Sequence, residues 1–423
     1  MEWRVNSIAT HNQDSITSAP AIPVCNPAAV RGVRIVVIFS SLYTYVRAKH
    51  KKSRDVNDYC GISKLSCLQS RDFQERLIRG WNQRVRGGMS ELVRVIGGGP
   101  AGSSAALSAL RHGARVTVFE KTRFPRHKVC GEFLSPEAAV VFEKLGVLSD
   151  FLDLRPHAVT QANVFLGGAN KRWKLDEAAF GISRHALDSF LLGCAVERGA
   201  ELVREAAELH ETVEPGQGPT VVAHGRHHSS PGNNRLFGFK AHYSGPLSDS
   251  VDLYFERRMY VGISCIENRL TDVCGLAPES LLREHGFEPD SLLASLPRLR
   301  ERMRPLSRNA QWLITGPLVF GGKFGRPMPG IYPAGDALGF VDPFTGSGIL
   351  GALVTGSVAG RCCAQSVSSS SYLAECKTIL RSQYHVASLF RQLVSWGLAD
   401  KLAWLLPGQR LFDLTRPAVA RAL

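Results

Sequence analysis

The stretch Val93-Arg94-Val95-Ile96-Gly97-Gly98-Gly99-Pro100-Ala101-Gly102, followed by an Ala-rich run and then Val116-Thr117-Val118-Phe119-Glu120, decides how this chain folds. A short apolar strand, a turn with glycine at 97, 99 and 102, a helix of small residues and a second strand ending in an acid make one βαβ unit. Gly97 permits the tight turn, Gly99 lets the backbone approach a pyrophosphate, and Gly102 lets the helix lie close to the strand. The helix begins at Pro100 and Ala101, and its N-terminus offers unpaired N–H groups to phosphates. Glu120, 18 residues beyond Gly102, stands where a carboxylate accepts hydrogen bonds from an adenosine ribose. The unit is predicted to hold a dinucleotide.

Around this unit the composition is ordinary: 423 residues, 44% hydrophobic, long enough for two or three domains. The net charge of +14 suggests nucleic acid until it is located. Residues 1–88 hold 14 Lys+Arg against 6 Asp+Glu, so most of the excess lies outside the βαβ unit and no nucleic-acid partner is expected. The ten cysteines contain no C-x-x-C and no regular ladder, so neither a metal site nor a disulfide framework is indicated and a reducing, cytoplasmic setting fits. No window reaches the roughly 18 to 20 apolar residues of a membrane span. The nearest, Val33 to Val46, is interrupted by Arg34 and Ser40, so no transmembrane helix is expected. Residues 1–88 lack a sustained period and end Arg-rich. A disordered leader, an upstream segment preceding a true start at Met89, and a targeting presequence all remain open.

Beyond Glu120 the chain reads Lys121-Thr122-Arg123-Phe124-Pro125-Arg126-His127-Lys128-Val129-Cys130-Gly131. Its basic residues suit a pyrophosphate, and Gly131 suits a loop close to a flat ring. A helix is predicted over 137–148, a hairpin around Gly167-Gly168, and a helix after Gly181-Ile182-Ser183-Arg184 with Leu187, Leu191 and Leu192 as core. Between 201 and 220 there is barely room for a hairpin. Leu236–Tyr243, Ser250–Glu256, Met259–Ile266 and Thr271–Leu276 read as successive antiparallel strands, which with Trp312 and Phe320 make a candidate substrate floor. Residues 281–303 read as helices, with a solvated basic face at Arg298, Arg300, Arg302 and Arg304. Farther on, a strand ends at Gly335-Asp336. After Asp342-Pro343-Phe344-Thr345-Gly346-Ser347, a helix starts near Gly348-Ile349, its positive end aimed at whatever precedes it. The tail, with Leu389, Phe390, Trp396, Leu402 and Trp404, reads as amphipathic helix, a packed lid or a peripheral membrane contact.

With both motifs quoted, the region from about Val93 to Gly360 resembles the FAD-dependent oxidoreductases of the para-hydroxybenzoate hydroxylase fold, and within them the geranylgeranyl reductase family. The resemblance implies an α/β (α+β overall) protein: a Rossmann-like FAD-binding domain at 89–158, 181–231 and 326–366, an antiparallel-sheet substrate domain at 159–180 and 232–325, and C-terminal helices at 367–423. It implies tightly bound FAD and transient NAD(P)H. Glu120 would hold the adenosine ribose and Arg126 the pyrophosphate, with Lys121 beside them. Asp336, after Gly335, would bond the ribityl chain. Gly346, Gly348 and Ile349 would serve the flavin N1/O2 edge, and Cys130 and Gly131 would lie near the ring. Arg184 would stand near the cofactor. Cys130 is the one candidate catalytic residue.

The chain departs from the family at Ala223-His224-Gly225-Arg226, where Ala-Asp-Gly is usual, and at Ser229, one residue late. It also departs at Tyr260-Val261-Gly262-Ile263, which has the Tyr of the prenyl-reductase motif alone, while Gln311-Trp312-Leu313-Ile314 has one Trp where flavin halogenases carry two. The leading expectation is reduction of a C=C bond in an apolar, prenyl-like small molecule. A flavin monooxygenase and a non-catalytic prenyl-lipid-binding protein are the alternatives, and oligomeric state is not read.

Overall fold

The computed structural model describes residues 91–166, 168–207, 218–226, 235–318, 325–340, 346–395 and 416–417, with backbone alone after residue 384 of the last helix. The expectations for 1–88, Met89, Ser229, Phe320, 342–345 and the apolar tail lie outside the described residues. In chain order come β1 (Leu92–Ile96), α1 (Pro100–Arg111), β2 (Arg115–Phe119), β3 (Phe133–Leu134), α2 (Ala138–Leu145), α3 (Leu148–Asp153), β4 (His157–Leu166) and β5 (Ala169–Gly181). Next are α4 (Arg184–Glu197), β6 (Glu201–Val203), β7 (Thr220–Val222), β8 (Leu236–Ser244), β9 (Ser250–Glu256), β10 (Met259–Ile266) and β11 (Leu270–Pro278). The rest are α5 (Glu279–Glu284), α6 (Pro289–Ala294), α7 (Pro297–Met303), β12 (Ser307–Arg308), β13 (Leu313–Leu318), β14 (Ile331–Pro333), α8 (Gly348–Ala364) and α9 (Ser369–Ser395).

The quoted βαβ unit forms the centre of a parallel sheet ordered β14-β7-β1-β2-β6. Val93, Val95, Val118 and Val221 are fully buried in it, as strands covered on both faces require. In the stretch with barely room for a hairpin, β6 pairs with β2 and β7 with β1, each for three residues and each parallel. The helix expected over 137–148 is two, because Gly146 adopts φ 74° and ends α2 with a left-handed cap.

Over this sheet α1 and α8 meet backbone to backbone. Gly356 and Gly360, four residues apart and so on one face, lie against the carbonyls of Ala101 and Ala105, where any Cβ would overlap. Gly335, at φ 60°, leaves similar room: a Cβ there would stand 2.9 Å from that of Ala101. The first turn of α1 is thereby fixed against the middle of α8.

The second sheet runs β12-β8-β11-β10-β9-β4-β5-β3, with β13 also on β8. The four strands expected to be successive are antiparallel, but β8 pairs with β11 rather than β9. The Phe239 ring fills the space left by Gly275 directly opposite, which fixes that pairing. β4 and β5 form the expected hairpin, Leu166 opposite Ala169, while β4 joins β9 in parallel, so the sheet is mixed.

Strand alternation gives this sheet two unlike faces. One carries Phe239, Val261, Ile263 and Val273 and is covered by the leucines of α5, α6 and α7, among them Leu281, Leu292 and Leu299. Trp312 belongs to this covered face, 5.5 Å from Phe239 and 6.0 Å from Tyr243 between ring centres. It is therefore not part of a substrate floor: Leu313 pairs with Lys240, which places its neighbour Trp312 on the opposite side. The basic helix face is only partly solvated, since Arg302 donates to Asp252 at 2.8 Å and Arg298 to the Gly168 carbonyl at 3.0 Å.

The other face holds three cross-strand rows. One runs Leu166, Phe255, Tyr260, Leu276 and Gly238, and the next Val164, Leu253, Gly262, Cys274 and Lys240. The third contains Ala162 with Val251, then Ser264, Asp272 and His242.

Candidate functional site

The glycine turn folds as its residues dictate. Gly97, at φ 104°, donates to the Phe119 carbonyl at 2.8 Å, tying the end of β1 to β2. A Cβ on Gly102 would overlap the Gly97 carbonyl, so the turn closes only with glycine. Gly98 donates to Glu120 Oε2 and Thr122 donates to Oε1, both at 2.8 Å. Glu120 thus braces the turn as well as standing at the strand tip.

Around Gly99 the structure gathers cations and their counter-charges. Arg184 Nη2 lies 3.9 Å from where a Gly99 Cβ would be. Its guanidinium makes a two-point contact with Asp188 one helical turn on, Nε to Oδ1 at 2.6 Å and Nη2 to Oδ2 at 2.7 Å. Burial works against that charge, yet the Asp188 carboxylate outweighs it and raises the Arg184 pKa. Arg126 lies over the Phe124 ring at 4.6 Å, 3.6 Å from Glu120 and 4.0 Å from Asp188, and its buried Nε has no hydrogen-bond partner among the described residues. Lys121 is exposed beside Glu120.

Asp336 follows β14 and faces Arg226, Arg184 and Lys128, whose charges oppose the upward push of burial on its carboxyl. Arg226 lies over Phe340 at 4.9 Å. Sequence reasoning set the 223–226 loop aside as a departure, yet its arginine supplies the charge nearest to Asp336 in effect. Asp188 was also missed, although its spacing from Arg184 was the available signal. Cys130 neighbours Arg184, and burial pushes its thiol up. Among the described residues, nothing stands within 4 Å of a Cβ placed on Gly131 or on Gly348. Ser347 precedes that helix and accepts from Gln383 at 2.6 Å. Gly346, at φ 62°, sits against Phe133.

These residues fit an FAD molecule. A glycine-lined helix start and unpaired Arg126 Nε suit its pyrophosphate, Asp336 can accept from a polyol, and the open helix start at Gly348 suits a flat ring. Lys128 adds a pH response. The surrounding protein, with Arg126 and Arg184 adding like charge, lowers its pKa to about 8. The protonated ammonium is the form that attracts pyrophosphate. FAD affinity is therefore expected to stay level below about pH 8 and then fall roughly tenfold per unit until the higher pKa of the complex is reached. Calorimetric titration with FAD from pH 7 to 9.5 checks this, and Lys128→Met should flatten the profile.

Beneath Cys130 lies a second polar group, which the strand pattern had hidden. Glu132, fully buried, accepts from the Arg184 backbone N–H at 2.6 Å, from His242 Nε2 at 2.7 Å and from Lys240. Asp272 is 3.7 Å from His242 Nε2 and 3.8 Å from Lys240 Nζ, and among the described residues neither of its oxygens has a hydrogen-bond partner. Lys240 also donates to the Lys128 carbonyl at 3.3 Å, and Gly238 lies under Val129, so the Cys130 loop rests on β8.

Comparison with known proteins agrees with this geometry. Residues 91–233 match the family model described as FAD binding domain. A menaquinone reductase of Mycolicibacterium smegmatis is 34% identical over 115 residues, 26% of this chain and 28% of that one. The alignment thus spans little more than a quarter of that relative's length. A digeranylgeranylglycerophospholipid reductase of Thermoplasma volcanium is 24% identical over 358 residues, 74% of this chain and 88% of that one. Among solved structures, the flavin-dependent brominase Bmp2 superposes with a TM-score of 0.62 at 20% identity, covering 77% of this chain and 93% of that one. A geranylgeranyl bacteriochlorophyll reductase-like protein from Thermoplasma acidophilum gives 0.56 at 19%, covering 78% and 92%.

Proposed function

We propose that this chain, which carries an FAD-binding domain on the para-hydroxybenzoate hydroxylase fold, is an FAD-dependent oxidoreductase that saturates a C=C bond of an apolar, prenyl-like small molecule, with NAD(P)H as transient reductant. One observation carries the reading. The row Leu166, Phe255, Tyr260 and Leu276, apolar and largely buried, crosses the face of the second sheet opposite α5–α7 and ends at Gly238, where a Cβ would stand 3.0 Å from Val129 Cγ1 in the Cys130 loop. An apolar chain laid along that row would bring its end to the ring site. The long alignment with the Thermoplasma volcanium reductase supports the same substrate class.

When bound, FAD supplies the hydride chemistry. The chain's part is to hold and orient. The α1 N-terminus, Arg126, Arg184 and Lys128 would neutralise the pyrophosphate, and Asp336 would fix the polyol. The N-terminus of α8 would place a positive end where a reduced ring gathers negative charge. The apolar row would orient the alkene and exclude water. Cys130 lines the approach as a neutral thiol.

An anaerobic mixing experiment tests this. The FAD-loaded protein, reduced with NADPH, is mixed with a geranylgeranyl-bearing lipid or its saturated analogue. The unsaturated lipid alone should reoxidise the flavin and gain two hydrogens. No reoxidation by any olefinic acceptor overturns the reading. The likeness to the brominase keeps an oxygen-using reaction as the second reading. Product carrying an added oxygen, formed only in air, would establish it.

A further inference from the structure

Saturating an alkene takes a proton as well as a hydride, and the group beneath Cys130 is placed to handle one. Glu132 and Asp272 are two carboxylates with a single lysine, Lys240, between them. Glu132 receives both the Lys240 ammonium and the His242 N–H. Asp272 is left with neither oxygen bonded, at 1% exposure. Without hydrogen bonds a charged carboxylate there is costlier than a neutral acid, even with the Lys240 ammonium 3.8 Å away. Glu132, His242 and Asp272 are close enough to surround a cation, and the Lys240 ammonium already fills that place.

The surroundings agree. Burial pushes the Asp272 carboxyl well above its usual range, Lys240 opposes this, and Glu132 and Glu267 reinforce it. For Glu132 burial also pushes upward, but the His242 hydrogen bond and Lys240 win and hold it ionised. Two residues along β11, on the same face, burial and then Asp272 push the Cys274 thiol up, so it keeps its proton. Gly262 lies opposite Cys274, with the Leu253 side chain packed beside it. On the outer side His127 is exposed, stacks on His185 at 4.8 Å between ring centres and meets His242 edge-on at 5.4 Å.

We propose that Asp272 is an internal proton store, filled from solvent through His127 and His242 and emptied into the cleft through the Cys274 thiol. This rests on the reductive reading of the site. One alkene carbon takes hydride, which brings two electrons from the reduced flavin. The π electron pair goes to the neighbouring carbon, which takes the Cys274 proton. Asp272 reprotonates the thiolate, and water restores Asp272 by way of His242 and His127. Asp272 and the histidines act through Cys274, so they are relay residues.

Infrared spectroscopy of the cofactor-free protein tests the store apart from the reaction. A carbonyl stretch of a buried protonated acid should be present at neutral pH and missing in Asp272→Asn. After transfer to D₂O that band should shift, and the shift should slow on the order of tenfold or more in His127→Gln, a change at an exposed position. Absence of an Asp272-dependent band overturns the proposal, and so does an unchanged exchange rate in His127→Gln. If the band and its slowed exchange are found while no alkene is reduced, the store stands and the reductive reading fails.

Discussion

Gly356→Val is expected to give a protein that purifies without flavin. The glycine faces the Ala101 carbonyl with no space for a Cβ, and valine brings two further methyls. Overpacking of this kind costs about 3 kcal/mol when backbone must move. Here the backbone that moves is the first turn of α1, whose N–H groups are proposed to bind the pyrophosphate. If that cost falls on the bound geometry, FAD affinity drops on the order of a hundredfold. The ratio of flavin to protein absorbance reads it directly, and calorimetry gives the size. Gly360→Val, one turn farther from the phosphates, should lose more stability and less affinity. Full flavin content in Gly356→Val would mean that the two helices separate without disturbing the cradle.

Asp188→Ala should be the most destabilising single change in α4. Asp188 is fully buried, and its carboxylate holds Arg184 at two points with Arg126 nearby. Removing it leaves a largely buried guanidinium without its counter-charge, a loss of about 3–5 kcal/mol. A lowered urea midpoint with unchanged m-value checks this. Added FAD should restore more stability to the variant than it gives the parent, because a pyrophosphate can stand in for the missing negative charge. Equal stabilisation of both would place the pyrophosphate away from Arg184.

The cofactor end of the molecule was legible because its residues act locally. A glycine turn, a strand-end acid and a helix start after Gly-Ser each show themselves within a few positions, and Gly97, Glu120 and Gly348 sit where those patterns put them. The sheet was legible as strands but not as a surface. Phe239-Lys240-Ala241-His242-Tyr243 alternates cleanly, and alternation ordinarily assigns Lys240 and His242 to solvent. Their burial depends on Asp272, 30 residues later, and on Glu132, more than a hundred earlier. Trp312 failed for a related reason, since one residue of register decides which face it joins. The parallel β4–β9 pair and the charge that Arg226 brings to Asp336 are equally non-local.

The Gly356 and Gly360 contact also bears on how the holoprotein comes into being. The two helices that carry the proposed cofactor site start about 250 residues apart in the chain, and the close packing of one on the other forms only once both have been made. During synthesis, at roughly 5–20 residues per second, α1 waits without its α8 partner while the whole second sheet is made. A nascent chain arrested before Ala364 has emerged from the ribosome should therefore not capture flavin. One arrested well beyond it should.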